Sequence, residues 1–232
     1  MKRILALCLA SLLAGCAAQQ HNPMTGLKDK VFEMPVSGKK QPSRSLEEVE
    51  ENVRKLNTSI GGYPPRFNSA GHRVQVYVEW SGLLEDALAH QEMEGNSEPV
   101  LYVLSELYRQ GHNLDVRGAA DKASSSISTC LKKYPSSVHC HFSSAYFYLS
   151  VDPKYVNNAE ISLSFLRDHF SPKVNYDVER NYVILYIFKR DANAAMRQID
   201  YFVQQFPNSP DKEHFLKMRL GLEDGNINFK QM

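Results

Sequence analysis

Three stretches carry the reading: residues 123–134, ASSSISTCLKKY; residues 159–170, AEISLSFLRDHF; and residues 195–206, AMRQIDYFVQQF. They lie 36 residues apart in one register. Ala123, Ala159 and Ala195 align, as do Ile127, Leu163 and Ile199. Cys130, Leu166 and Phe202 align next, then Tyr134, Phe170 and Phe206. Apolar residues at offsets of 0, 4, 7 and 11 trace one face of a helix. Recurrence at this period predicts stacked helical units, each too small to bury its own apolar face.

Working outward, each aligned helix is preceded by another. Helices are predicted over 98–110, 115–133, 138–149, 155–169, 176–188 and 191–205. A last one is predicted to start with Ser209 as N-cap and Pro210 at the first helical position, and to stop at Gly225. Its stripe is Phe215, Met218 and Leu222. Gly111-His112-Asn113 reads as a loop. On the N-terminal side, Ser45-Leu46-Glu47-Glu48 is a capping box opening a helix that ends near Asn57. Gly61-Gly62-Tyr63-Pro64-Pro65 breaks it. Val74, Val76 and Val78 alternate with polar residues as in a strand, yet no partner run exists. His72 to Glu94 is therefore read as a helix.

The chain opens with Met1-Lys2-Arg3 and an apolar run, Ile4 to Leu13, too short to span a bilayer. It ends in Leu13-Ala14-Gly15-Cys16, which resembles the lipobox of bacterial lipoproteins at all four positions. The resemblance implies cleavage before Cys16 and acylation of that cysteine, a lasting membrane anchor when several chains are attached. The competing reading is an ordinary signal peptide with a chance cysteine. Ala17 after the cysteine leans towards the outer membrane, facing the periplasm. Loss of Lys2 and Arg3 would move the net charge from +1 to about −1. That balance argues against broad binding to nucleic acid or anionic lipid.

The expected organisation is a signal peptide over 1–15, a flexible tether over 16–44, an irregular helical hairpin over 45–97, and repeats with a capping helix over 98–225. Cys130 and Cys140 remain once Cys8 and Cys16 are accounted for. Each is five residues from Pro135, so a turn there would face them across a helix pair as a disulfide. Two buried thiols are the alternative.

The helical units resemble the tetratricopeptide repeat. Ser105 and Tyr108, Ala145 and Tyr148, and Val183 and Tyr186 fit the small and aromatic positions of its first helix. Ala123, Ala159 and Ala195, with Ile127, Leu163 and Ile199, fit its second helix. Pro135 and Pro207 fit its closing proline. The pattern departs where Leu166 and Phe202 replace a small residue, where Pro172 falls one residue late, and where Leu101, His141 and Glu179 replace an aromatic. The resemblance implies an all-α fold, a right-handed solenoid of helical hairpins. It also implies a concave groove that binds an extended or helical peptide of an envelope protein. Carried onto this chain, the groove residues are Tyr102, Glu106, Arg109, His139, Phe142, Tyr146 and Arg180, with Leu149, Asp177, Ile184 and Ile187. For Phe142, Leu149, Ile184 and Ile187 the competing reading is burial against neighbouring helices.

No motif for a nucleophile, a Walker loop, a zinc helix or a dinucleotide site is present. His139-Cys140-His141 places two histidines about 200° apart on a helix, which disfavours a shared metal. No cofactor is implied. The expected function is a periplasmic scaffold or adaptor lipoprotein without turnover. Narrower versions are a pilotin or an accessory of outer-membrane barrel assembly. An enzyme site within 58–95, around Tyr63 and Trp80, is the alternative of another class.

Overall fold

A computed structural model describes residues 32–35, 41–151, 153–225 and 227. The segment expected as a signal peptide, the lipobox-like Leu13-Ala14-Gly15-Cys16 and the acylation expected at Cys16 lie outside the described residues. Among those described, the secondary structure is entirely helical, so the all-α expectation holds. Nine α-helices run in order among the described residues: α1 (Leu46–Ile60), α2 (Ala70–Glu94), α3 (Glu98–Asn113), α4 (Ala119–Lys133), α5 (Val138–Val151), α6 (Val156–Phe170), α7 (Tyr176–Phe188), α8 (Ala192–Gln205) and α9 (Lys212–Glu223). No helix among the described residues is long and apolar enough to cross a membrane. The chain divides into two compact units between Ala123 and Ser124, within α4.

In the first unit α1, α2 and α3 pack on one another. The capping box at Ser45 forms: its hydroxyl accepts from Glu48 N–H, and the Glu48 carboxylate accepts from Ser45 N–H at 2.8 Å. Val49, Val53, Leu56 and Ile60 are buried, so α1 runs a turn past Asn57 to bring Ile60 into the core. The valines of α2 settle its ambiguity. Val76 is buried while Val74 and Val78 are exposed, the outcome of a helical period rather than a strand's. Trp80 of α2 is fully buried, and its indole N–H donates to Leu107 O at 2.7 Å. Removing roughly 200 Å² of indole from water is worth on the order of 5 kcal/mol before ordering entropy is counted.

Gly111-His112-Asn113, expected as a loop, continues α3. The reason is contact. A Cβ on Gly111 would sit 2.5 Å from Trp80 Cζ2, so only glycine lets the helix pass over the indole. The turn comes later, with positive φ at Asp115 and Gly118, and α4 accordingly starts at Ala119 rather than 115. The folded part also begins before Ser45. Asp86, fully buried, accepts from Ser43 N–H at 2.8 Å and pairs with Arg44 Nη1 at 2.6 Å, while Arg44 O is held by His90 Nε2 at 2.8 Å.

In the second unit α5 packs on α6 and α7, α6 on α7, α7 on α8, and α8 on α9. Its core includes Ala145, Leu149, Ala159, Leu163, Leu166, Tyr182 and Leu185. Ser162 donates to Ser144 at 2.8 Å inside the α5–α6 contact. Phe202 and Phe215 meet edge to face at 5.0 Å where α9 lies on α8. The start of α9 is later than expected. Ser209 Oγ accepts from Asp211 N–H within a turn, Pro210 stays in that turn, and Asp211 is the N-cap.

Candidate partner-binding surface

The groove residues expected from the sequence divide between the two units. In the first, Tyr102, Glu106 and Arg109 stand on α3. Glu106 and Arg109 are each only 6 % exposed. Arg109 donates to Glu106 Oε2 at 2.7 and 3.2 Å, to Gly61 O at 2.5 Å and to Asn57 Oδ1 at 3.0 Å. Gln110 Nε2 donates to Val53 O at 2.8 Å and Asn113 Nδ2 to Ile60 O at 2.9 Å. Asn113 and Arg109 thus reach carbonyls at the C-terminal end of α1 that its own helix cannot satisfy, and Gln110 adds a donor to Val53 O further back in the helix. Glu106 and Arg109 therefore face inward and hold α1, which removes them from any surface. Tyr102 is half-buried beside them. Burial, and then the charges of Glu106 and Glu50, push its hydroxyl pKa up to about 12.

In the second unit, His139, Phe142 and Tyr146 follow one another along α5. His139 is exposed; Phe142 and Tyr146 are half-buried. The Phe142 and Tyr146 rings lie 6.0 Å apart and nearly parallel, and Phe142 also meets Phe170 at 6.1 Å. Leu149 is buried, while Ile184 and Ile187 are half-buried. Arg180 Nε donates to Asp211 Oδ2 at 2.7 Å, and Tyr176 O–H donates to the same oxygen at 2.8 Å. Burial pushes the Asp211 carboxyl up, but these two hydrogen bonds outweigh it and hold the carboxyl below its ordinary value. Arg180 thus fixes the turn ahead of α9.

A pocket of about 290 Å³ opens where α6 turns into α7. Phe170, Lys173 and Tyr201 are among the residues that line it, together with Arg167, Glu179 and Gln198. Glu179 is 3 % exposed. It accepts from Arg167 Nε at 3.0 Å and from Gln198 Nε2 at 2.8 Å. The Arg167 guanidinium lies 3.5 Å from the Tyr182 ring centroid. Both carboxylate oxygens of Glu179 are thus committed to charge-assisted or amide hydrogen bonds inside the protein. The sequence held a signal for this cluster. Glu179 occupies a position the repeat pattern gives to an aromatic, and a buried acid needs an internal cation.

A disulfide joins Cys130 of α4 to Cys140 of α5, with Cα atoms 5.7 Å apart. His141 is buried, stacks on Phe165 at 3.8 Å, and makes a hydrogen bond from Nε2 to Pro135 O at 3.0 Å. No cluster of three or more His, Cys, Asp or Glu among the described residues is placed to hold a metal ion. Within 58–95, the buried carboxylate of Asp86 is paired with Arg44, and Tyr63 is exposed.

Compared with models of known protein families, with curated proteins and with solved structures, the chain finds no match.

Proposed function

We propose that this chain is a lipoprotein anchored through Cys16, with tetratricopeptide-like hairpins stacked as a right-handed solenoid and closed by α9 as a capping helix. It holds a protein of the bacterial envelope and has no turnover. The observation that carries this is the burial of the repeat register. Ala123, Ala159 and Ala195 are each 0 % exposed, and the next two aligned rows are 1 % exposed or less. Ala159 and Ala195 stand at the same buried point of α6 and α8, each of which packs on a neighbouring helix, as a stack requires. The half-buried aromatics Phe142 and Tyr146, with exposed His139 beside them, give α5 a face suited to an extended or helical peptide.

Location would come from the lipid, on the periplasmic face of the outer membrane, and specificity from α5. A pilotin or a barrel-assembly accessory fits the same reading. The test is a photo-crosslinking residue at His139 in cells, with the same residue at exposed Ile161 as control. A discrete adduct with an envelope protein at His139, absent at Ile161, is expected. Equal or no labelling at both sites would overturn the partner reading. For the anchor, a Cys16→Ala chain is expected in the soluble fraction; if it still sediments with membranes after a salt wash, the lipid reading is wrong.

A further inference from the structure

Residues 32–35 precede the first helix and belong to a stretch whose composition suggests a free tether. Yet they lie on the first unit. The Phe32 ring stacks on Tyr77 of α2 with centroids 4.0 Å apart and planes 10° from parallel. Arg73, one turn earlier on α2, places its guanidinium 5.0 Å from the Phe32 ring centroid. The backbone is read as well. Arg117 N–H donates to Phe32 O at 3.3 Å, and Tyr77 O–H donates to Glu33 O at 2.9 Å. The Glu33 carboxylate lies 3.9 Å from Arg117 Nη1. The Arg117 amide is presented by the turn that Asp115 and Gly118 shape with positive φ.

Two consecutive carbonyls, one aromatic ring and one carboxylate are thus each met by a matching group. This is how a surface recognises a short extended peptide: backbone bonds give register, and side-chain contacts give specificity. We propose that Arg73, Tyr77 and Arg117 form a recognition surface for an aromatic residue followed by an acidic one, and that its occupant is the chain's own Phe32–Pro35. The segment clips the tether to the first unit, so the tether leaves the folded part at Phe32 instead of near Ser43. The occupant is this chain's segment because it is covalently close, which makes docking an intramolecular event at high effective concentration. The role as a membrane tether rests on the lipid reading above; the clip itself does not.

The test is amide hydrogen exchange on the full chain carrying Cys16→Ala, in the absence of membrane, so that failure of the lipid reading cannot alter the result. Phe32→Ala is compared with Phe32→Tyr. Loss of a stacked ring and a cation–π contact corresponds to faster exchange at the Arg117 amide, on the order of tenfold. Phe32→Tyr should keep the slow rate, and amides of α8 should be unchanged in both. Equal exchange at Arg117 in the Phe32→Ala and parent chains would overturn the clip. So would acceleration of α8 amides to the same extent, which would mark global loosening.

Discussion

Arg109 directs its guanidinium to the end of α1, where it bonds Gly61 O and Asn57 Oδ1 while pairing with Glu106. Arg109→Ala would remove the guanidinium that pairs with buried Glu106, a loss of about 3–5 kcal/mol. A urea midpoint well below the parent's is the expected result. An unchanged midpoint with a lost crosslink would make Arg109 a partner contact instead. His141 carries a pH dependence. Burial holds its imidazole below the ordinary histidine value, with the bond to Pro135 O pulling the other way. Its depressed folded value leaves proton binding to the unfolded chain. Stability from this group is therefore intact above roughly pH 6.5 and falls as the pH drops from there towards the folded value. His112 is shifted in the same direction, chiefly by burial. His141→Phe keeps a ring against Phe165 and removes the titration. Its unfolding midpoint should fall less between pH 7.5 and pH 5.5 than the parent's.

At the scale of elements, the α4–α5 corner is closed by a bond spanning 10 residues, with sulfur-bearing residues 1 % and 0 % exposed. Replacing both cysteines by serine should cost about 2–3 kcal/mol through a freer unfolded chain. Because both residues are buried, a reductant should open the bond readily only in denaturant, as thiol titration with and without urea would report. Elements are also where sequence reading worked best. The capping box, the breaks near Pro135 and Pro207 and the buried alanine register were all readable, since caps and helical period are local physics. What escaped was set by distant partners. Gly111 reads as a breaker until Trp80 is known to cross it. Glu106 and Arg109 read as groove residues until α1 is known to end against them. Arg167 and Glu179 lie 12 residues apart and meet only through the α6–α7 turn.

For the molecule as a whole, the boundary of the folded part is itself a prediction. A chain starting at residue 45 would strip the Arg44 ion pair and the Ser43 amide bond from the fully buried Asp86 carboxylate. It should be less stable by about 3–5 kcal/mol than a chain starting at residue 41, measured by urea unfolding of Trp80 fluorescence. Equal midpoints would place the boundary at Ser45 after all. Candidate surface residues were only partly legible at this scale: periodicity and resemblance place residues on a face, but whether that face meets solvent depends on what packs against it.

The Phe32 contact also changes a leash. For a chain anchored at Cys16, sixteen residues of sequence separate the anchor from Phe32, and twenty-seven separate it from Ser43. Fully stretched, that is about 55 Å rather than about 95 Å. Local concentration at the anchored surface scales with roughly the −3/2 power of leash length, so docking one phenylalanine about doubles it. A side chain that touches no partner would then set how often the first unit visits one.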